Sequence, residues 1–118
     1  MGVFDEAGTL EGYACWGPTP ATERGYDLYW IAVDPRAQGG GYGRTLMRAV
    51  EETLRARGAR LLVAETSSRA SYAQTRDFYE RAGYVERARV RGFYAVGDDR
   101  VIFSKLLAVG AGEEARHE

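Results

Sequence analysis

One segment, from Tyr26 to Thr66, restricts the fold of this 118-residue chain more than any other. It begins with an aromatic-rich, apolar run from Tyr26 to Val33, which is typical of a β-strand. A glycine-rich stretch follows, and then a run from about Gly41 to Arg57 with apolar residues at helical spacing. Arg60 to Thr66 predicts a short buried strand. The segment therefore predicts a β-α-β unit, in which a right-handed crossover joins two parallel strands.

The first strand of this unit is almost continuously apolar, and Asp27 is its single charged residue. Strands with this pattern usually lie in the middle of a sheet with helices on both faces. We therefore expect this strand to be central and to be covered on both faces.

Further elements flank the unit on both sides. The additional strand candidates are Gly2–Asp5, Leu10–Trp16, Tyr84–Val90 and Arg100–Leu107. The first two are joined by a predicted hairpin turn at Glu6-Ala7-Gly8, and the last two are joined through Gly97-Asp98-Asp99. Ser71 and Gln74 match a capping box, which predicts a second helix that runs to Ala82. The predicted order is β-β-β-α-β-α-β-β.

Length and composition predict one globular domain. The hydrophobic fraction of 45% and the charged fraction of 28% are those of a soluble protein, and 118 residues leave no room for a second domain. We expect the domain to span residues 1–109. The polar residues 110–118 are expected to form a disordered tail, and His117 within it is not expected to act in catalysis or metal binding.

Charge and cysteine content argue against several classes of partner. The net charge of −1 gives no general attraction to nucleic acid or to an anionic membrane, and no window reaches the ~18 apolar residues of a membrane span. Cys15 is the single cysteine, so the chain cannot form an internal disulfide, and a zinc cluster or other metal site is not expected. These features fit a cytoplasmic protein.

The glycine-rich stretch from Gln38 to Arg44 predicts a site for a phosphate-bearing ligand. Glycines let the backbone turn tightly and approach a ligand closely. The helix that follows offers unpaired N–H groups and the positive end of its dipole. Three glycines at the start of a helix are unfavourable by roughly 1 kcal/mol each relative to alanine, and a requirement for bare backbone would explain them.

Two known phosphate-binding patterns do not fit this stretch. The dinucleotide pattern G-x-G-x-x-G fails, because Arg44 or Leu46 stands where the last glycine is required. A P-loop needs a lysine where Arg44 stands, and its first glycine would fall on Gln38. A plain glycine-rich turn that binds nothing stays an alternative.

The sequence resembles the GNAT superfamily of acyl-CoA-dependent N-acetyltransferases. Gln38, Gly41 and Gly43 fill the family signature of Gln or Arg, two residues, Gly, one residue and then Gly or Ala. Val33-Asp34-Pro35 supplies the Val-x-Pro that usually precedes it, and Phe78 to Tyr84 supplies a later helix that carries Phe-Tyr and ends in Gly plus an aromatic residue. The resemblance covers roughly residues 3–107. It implies an acyl-CoA N-acyltransferase-like α/β fold: a mixed, mostly antiparallel twisted sheet around the central parallel β-α-β unit.

The resemblance also implies a co-substrate, acetyl-CoA or a related acyl-CoA. Its pyrophosphate would lie on backbone N–H groups of the glycine-rich stretch, with a charged contact from Arg44 unless that side chain is simply solvated. Its pantetheine arm would lie along the first strand of the β-α-β unit, where a backbone N–H would polarise the thioester carbonyl. The residues implied in cofactor binding are Ile31, Ala32, Val33, Gln38, Gly39, Gly40, Gly41, Tyr42, Gly43 and Arg44.

The resemblance assigns Tyr79 to the position of the general acid that protonates the departing thiolate. A phenol with a pKa of roughly 10 is protonated at neutral pH and can donate a proton; the alternative is a core aromatic residue. Asp27 falls where some histone-acetylating members carry a catalytic glutamate, and burial of its carboxylate would raise the pKa and suit it to act as base. Asp27 could equally face solvent, Glu65 is the second candidate base, and many members use a water chain instead.

The sequence departs from the family pattern in two ways. Tyr72 and Thr75 replace a common Asn and Ala, and Gly40 stands where Lys or Arg is frequent, so some cofactor contacts are in doubt. The chain also begins at what corresponds to the family's second strand, so the fold is expected to be short at its N-terminus. The apolar sheet surface that this would expose leads us to expect a homodimer.

The expected function is transfer of an acetyl group from acetyl-CoA directly to a primary amine of a small molecule or a protein. Phe93 and Tyr94 are candidates to contact the acceptor's carbon frame, and Asp98 or Asp99 to attract its charge, although this region also fits a polar turn with packed aromatic residues. A non-catalytic acyl-CoA-binding module is the alternative function.

Overall fold

A computed structural model describes residues 1–4 and 8–107. In these residues the chain forms six strands and two α-helices: β1 (Gly2–Phe4), β2 (Leu10–Pro18), β3 (Gly25–Val33), α1 (Tyr42–Ala56), β4 (Leu61–Ser67), α2 (Ala73–Arg81), β5 (Val85–Ala95) and β6 (Asp98–Leu106). The strands form one sheet in the order β1-β2-β3-β4-β6-β5. Within the described ranges β3 and β4 are the single parallel pair. The predicted element order and fold class are confirmed, while the predicted turn at residues 6–8 and the tail at 110–118 fall wholly or partly outside the described residues.

The crossover helix α1 forms because its apolar residues recur on one side. Leu46, Val50 and Leu54 are buried on that side, against the sheet. The helix ends at Ala56, Arg57 caps it, and Gly58 follows with a φ of 79°. The left-handed conformation at Gly58 is the predicted stop signal, since glycine adopts it without strain.

Both helices pack on the same face of the sheet. The ring of Tyr79 on α2 lies 5.6 Å from that of Phe103 on β6 and 6.0 Å from that of Tyr84, which in turn contacts α1. One continuous core results, and its largest fully buried side chains are Phe103, Leu46, Met47, Leu54, Leu62, Leu107, Val50 and Val101.

β3 is central in the sheet as predicted. The opposite face of the sheet is open, however, and the expectation that both faces of β3 are covered is wrong. Tyr29 and Trp30 of β3 are 57% and 51% exposed, and Tyr13 of the neighbouring β2 is 44% exposed. Tyr13 and Trp30 meet edge to face, with ring centroids 6.4 Å apart. The apolar pattern of β3 reflects these cross-strand aromatic contacts rather than burial of both faces. We call this surface, formed by Tyr13, Tyr29 and Trp30, the open-face aromatic patch.

The sheet separates in the middle of the β-α-β unit. The ladder between β3 and β4 joins Gly25–Leu28 to Leu61–Ala64 and then ends. The rest of β3 pairs only with β2, and the register shifts at Tyr29, which is the extra residue of a β-bulge. One edge of β3 therefore keeps unpaired backbone groups beyond Leu28.

The second helix begins later than predicted, and the capping box is wrong. Ser71 lies inside a 3-10 turn, Ala70–Tyr72, and Tyr72 caps α2 without a side-chain hydrogen bond. Arg76 holds this connection instead, because its Nη1 donates to the carbonyl oxygens of Ser67 and Arg69, at 2.8 Å each. A long-range guanidinium contact thus replaces the local cap.

A buried polar cluster joins α1 to β6 and to the end of α2. The Glu51 carboxylate accepts hydrogen bonds from Lys105 Nζ at 3.0 Å and from the Tyr84 hydroxyl at 2.7 Å. Lys105 Nζ also donates to the Ala82 carbonyl oxygen at 2.9 Å. Burial, and then the negative charge of Glu51, raise the pKa of Tyr84, so its hydroxyl stays a donor. This Glu51–Lys105–Tyr84 cluster fixes the distance between the two helices at one end.

Replacement of Lys105 by Met is expected to lower the free energy of unfolding by about 2 kcal/mol, because it leaves the buried Glu51 carboxylate with only the more distant guanidinium of Arg55, at 3.7 Å. The double variant Glu51→Gln/Lys105→Met removes both charges, keeps an acceptor for Tyr84, and should recover more than half of that loss. Urea unfolding measures the free energy of unfolding of the single and the double variant. Arg81→Met breaks the exposed pair with Asp77 and is the control, with an expected loss below about 0.5 kcal/mol; equal losses for both single variants would contradict the role given to the cluster.

Candidate functional site

A cleft of 1020 Å³ lies between α1 and α2 on the helical face of the sheet. We call it the α1–α2 cleft. Its outer end is formed by the glycine-rich stretch and its inner end by the Glu51–Lys105–Tyr84 cluster. Its lining residues include Ile31, Val33, Gln38, Gly39, Gly41, Tyr42, Gly43, Arg44, Met47, Arg48, Glu51, Thr75, Phe78, Arg81 and Lys105.

The glycine-rich stretch presents backbone N–H groups to the cleft. Gly39 and Gly41 adopt φ values of 89° and 81°, in the left-handed region that glycine alone adopts readily. Gly41 is the N-cap of α1 and has no side chain to accept hydrogen bonds from the first turn. That turn also lacks an acidic residue. The first N–H groups of a helix have no partner within it, so these groups can bind an anion.

Close packing explains the second glycine of the signature. A Cβ atom at Gly43 would lie 3.1 Å from Cε1 of Phe78 and 3.6 Å from Cγ2 of Val33. Even alanine at this position would require the Phe78 ring or α1 to shift by a few tenths of an ångström. Gly43 therefore sets the width of the cleft at its outer end.

The predicted cofactor-binding residues divide between the cleft and other surfaces. Ile31 and Val33 line the cleft, whereas Ala32 between them pairs with Tyr13 on the open face. Gly40 lines a second, smaller cavity of 500 Å³ instead. The other predicted cofactor residues line the cleft. Ala32 can thus offer only its backbone to a ligand there. Gln38 and Tyr42 line both cavities and so connect Gly40 to the other predicted residues.

Tyr79 combines a buried ring with an accessible hydroxyl. The side chain is 4% exposed, and burial raises its pKa to about 12. Its hydroxyl has no hydrogen-bond partner within residues 1–4 and 8–107, yet that part of the chain contains no fully buried side-chain oxygen without a partner. The hydroxyl therefore keeps some contact with solvent. Tyr79 itself does not line the α1–α2 cleft, although its neighbour Phe78 does.

The family comparison agrees with this geometry. The sequence profile of the acetyltransferase (GNAT) domain matches residues 2–86. The chain belongs to the GNAT acetyltransferase family.

Solved structures of GNAT proteins have the same fold. A protein of Desulfovibrio desulfuricans assigned to this family is 51% identical, with a TM-score of 0.84 over 90% of this chain. The chain spans 65% of the length of that protein. The ribosomal-protein-S18-alanine N-acetyltransferase of Escherichia coli is 27% identical, with a TM-score of 0.74 over 91% of this chain and 68% of its own.

A third structure shows the fold with a ligand. YncA of Salmonella typhimurium, solved with its cofactor acetyl-CoA, is 21% identical, with a TM-score of 0.75 over 91% of this chain and 64% of its own. No curated protein sequence matches the chain.

The two candidate bases of this GNAT chain lie on the open face. Asp27 is half-buried, and its Oδ1 accepts a hydrogen bond from the Thr19 hydroxyl at 2.8 Å. Glu65 is exposed, and its Oε2 accepts from Arg100 Nε at 2.6 Å. Asp27 pairs with Val63, two residues before Glu65 on the adjacent strand, so both carboxylates lie near the point where β3 and β4 separate. Neither side chain lines the α1–α2 cleft.

The hairpin of β5 and β6 differs from the predicted loop. Asp98 and Asp99 belong to β6, and Gly97 with a φ of 79° makes the turn. Asp98 is 5% exposed and binds Ser67 and Arg69, so it is not available to an acceptor amine. The Asp99 carboxylate accepts a hydrogen bond from the N–H of Gly92 at 2.9 Å.

The aromatic pair of this hairpin is accessible. Phe93 and Tyr94 meet edge to face with ring centroids 5.0 Å apart, and about half of each side chain is exposed. The Arg100 guanidinium lies 4.9 Å from the centre of the Phe93 ring. Phe93 and Tyr94 therefore stay candidates for acceptor contacts.

Sequence reasoning missed Glu51 and Lys105 at the inner end of the cleft. Glu51 directly follows Val50 on the buried side of α1, and a carboxylate in an apolar stripe signals a buried partner. Of the two residues that replace the family's common Asn and Ala, Thr75 lines the cleft, whereas Tyr72 is 45% exposed and does not. No cluster of three or more metal-ligating side chains occurs in the described part of the chain, and neither described helix has the length and hydropathy of a membrane span.

Gly41→Ala is expected to lower the free energy of unfolding by about 1–2 kcal/mol, because alanine is strained at a positive φ. A Cβ atom there has no neighbour within 4 Å, so strain and not crowding would cause the loss. Thermal and urea unfolding measure it. Gly40→Ala is the matched control, since Gly40 is outside the left-handed region, and its loss should stay below about 0.5 kcal/mol. Equal effects at both positions would contradict the backbone role of Gly41.

Proposed function

We propose that the chain transfers an acetyl group from acetyl-CoA directly to a primary amine. One observation carries the proposal: a cleft with unpartnered backbone N–H groups at its mouth leads to a strand edge with unpaired backbone groups. This arrangement suits a ligand with a phosphate-bearing end and an extended, amide-containing arm. Acetyl-CoA has both features.

The pyrophosphate of the cofactor would bind at the glycine-rich stretch. The N–H groups of the first turn of α1, the helix dipole and the Arg44 guanidinium all favour an anion there. The YncA structure, which holds acetyl-CoA in the same fold, supports this choice of cofactor.

The pantetheine arm would lie along β3 between Tyr29 and Val33. Its amides can pair with the backbone edge that β4 leaves unpaired. A backbone N–H on this edge would donate to the thioester carbonyl and stabilise the oxyanion of the tetrahedral intermediate.

Tyr79 would assist departure of the thiolate. The amine nitrogen attacks the thioester carbon, the C–S bond breaks, and the sulfur leaves with the bonding electron pair. A phenol with a pKa of about 12 keeps its proton well above the pKa of ~8.5 typical of a thiol. Tyr79 therefore acts by donating a hydrogen bond to the sulfur as charge develops there, and the proton lost by the amine balances the thiolate charge.

The acceptor amine would approach from the open face. Asp27 and Glu65 lie on that face near the strand separation, whereas the cleft lies on the helical face. Cofactor and acceptor would then meet through the separation between β3 and β4. Glu65 is held by Arg100, so Asp27 or a water that it orients is the better candidate to accept the amine proton.

Calorimetry with acetyl-CoA and a thiol-release assay with a panel of primary amines test the proposal. Micromolar binding together with amine-dependent thiol release is the expected result. Binding without turnover for any amine would leave a non-catalytic acyl-CoA-binding module, and no binding at millimolar acetyl-CoA would contradict both functions.

Tyr79→Phe is expected to lower kcat about 100-fold, because it removes the donor to the departing sulfur. The dissociation constant of acetyl-CoA should change less than twofold, since the ring remains. Phe78→Leu is the matched control for packing next to the cleft and should affect cofactor binding more than kcat. Equal kcat values for Tyr79→Phe and the wild type would remove Tyr79 from the mechanism.

The pH profile separates this role from a general loss of structure. Because the raised pKa of Tyr79 keeps the phenol protonated, its contribution to kcat should be constant from about pH 7 to about pH 10. It should decline only as the pH approaches the pKa of about 12. The ratio of wild-type to Tyr79→Phe rates is the measured quantity, and a ratio that falls to one by about pH 9 would contradict the assignment.

We also propose that the chain forms a homodimer through the open-face aromatic patch, in an arrangement that leaves Asp27 accessible to the acceptor amine, because exposed contiguous aromatic surface favours association. Light scattering should give twice the 13.1 kDa of one chain, and Trp30→Ser should shift the mass toward the monomer. A monomeric wild type at high micromolar concentration would contradict the proposal. A cytoplasmic location stays a prediction from the single cysteine.

A further inference from the structure

Two arginines of α1 face the α1–α2 cleft one helical turn apart. Arg44 lies in the first turn and Arg48 in the second, and both line the cleft. Residues four apart on a helix lie on the same side, with Cβ atoms about 5–6 Å apart. Glu51 continues this side at the inner end of the cleft.

In the described part of the protein alone, the two guanidinium groups lack a partner, although Glu51 and Glu52 lie three and four residues beyond Arg48 on α1. Neither the Arg44 nor the Arg48 side chain has a hydrogen bond or ion pair within residues 1–4 and 8–107. Like charges four residues apart on a helix repel each other. The positive end of the helix dipole also disfavours cations near the start of α1. A bound anion would relieve both effects.

One anionic group at the glycine-rich stretch does not account for both arginines. The free N–H groups of the first turn and Arg44 suffice for a pyrophosphate. Arg48 lies a full turn farther along the cleft. Coenzyme A carries one more phosphate, on the 3′-oxygen of its ribose, and a single ribose ring separates that group from the pyrophosphate. The spacing of the two arginines suits this separation.

The opposite wall of the cleft offers a weaker alternative. Arg81 of α2 also lines the cleft, but its Nε lies 3.0 Å from Oδ2 of Asp77. The neighbouring carboxylate already neutralises this guanidinium. Arg48 is therefore the better partner for a dianionic phosphate.

We infer that Arg48 binds the ribose 3′-phosphate of coenzyme A and makes the cleft selective for coenzyme A over its 3′-dephospho form. The inference rests on the proposed function, because it requires the cofactor in the α1–α2 cleft. Arg48 is then a specificity-determining residue for the cofactor, and it takes no part in the transfer step.

Calorimetric titrations with coenzyme A and with 3′-dephospho-coenzyme A test the inference. The wild type should bind coenzyme A about tenfold more tightly, as expected for a charge-assisted contact. Arg48→Gln should weaken coenzyme A binding about tenfold and leave the affinity for the dephospho form unchanged. The wild-type preference should also shrink as salt is raised, because the contact is solvent-accessible.

Arg57→Gln is the matched control, since Arg57 is exposed at the far end of α1 and does not line the cleft. Arg57→Gln also removes one positive charge and should change the affinity for neither coenzyme A nor its 3′-dephospho form. Arg81→Gln should change the ratio of these two affinities less than twofold. Equal wild-type affinities for the two ligands, or equal weakening of both by Arg48→Gln, would overturn the inference and leave the proposed function intact. Failure of the wild type to bind either ligand would overturn both.

Discussion

The candidate site depends on the early end of the parallel ladder between β3 and β4. Four residue pairs join the two strands, and the bulge at Tyr29 then turns β3 away. Each strand keeps its other neighbour, β2 or β6, so the sheet remains continuous on either side of the separation. Backbone groups that lose a partner in this way need another. An extended ligand can provide it, and this is the basis of the pantetheine site proposed along β3.

The charges around the α1–α2 cleft divide into two groups. At the inner end the Glu51 carboxylate is shared by Lys105 and Arg55 and accepts a hydrogen bond from Tyr84, so the charged groups there already have partners. At the outer end the glycine-rich stretch and two arginines present positive potential without a carboxylate in the first turn of α1. The two ends of the cleft therefore differ in charge. A ligand with one anionic end is expected to place that end at the glycine-rich stretch.

Local features of the sequence predicted much of this structure. The β-α-β unit, the stop of α1 at Gly58 and the glycine-rich stretch follow from spacing and backbone preference, which a short window of sequence contains. The start of α2 was wrong because Arg76 reaches back to Ser67 and Arg69 and replaces the cap that Ser71 suggested.

Features that depend on distant residues could not be predicted. The partner of Glu51 lies 54 residues away along the chain. Exposure of Tyr29 and Trp30 depends on what covers the sheet, which their apolar character does not reveal. The acidic residues Asp98 and Asp99 suggested a loop, yet one of them is bound by Ser67 and Arg69 within a strand.

The close approach of Gly43 to the Phe78 ring has a consequence for how this site can diverge among related sequences. Gly43 belongs to the proposed phosphate-binding end of the cleft, and Phe78 is adjacent in sequence to Tyr79, the candidate proton donor. A side chain at position 43 would have to be accommodated by a shift of the Phe78 ring or of α1. If the proposed function holds, a substitution at position 43 would therefore affect both the cofactor site and the surroundings of Tyr79.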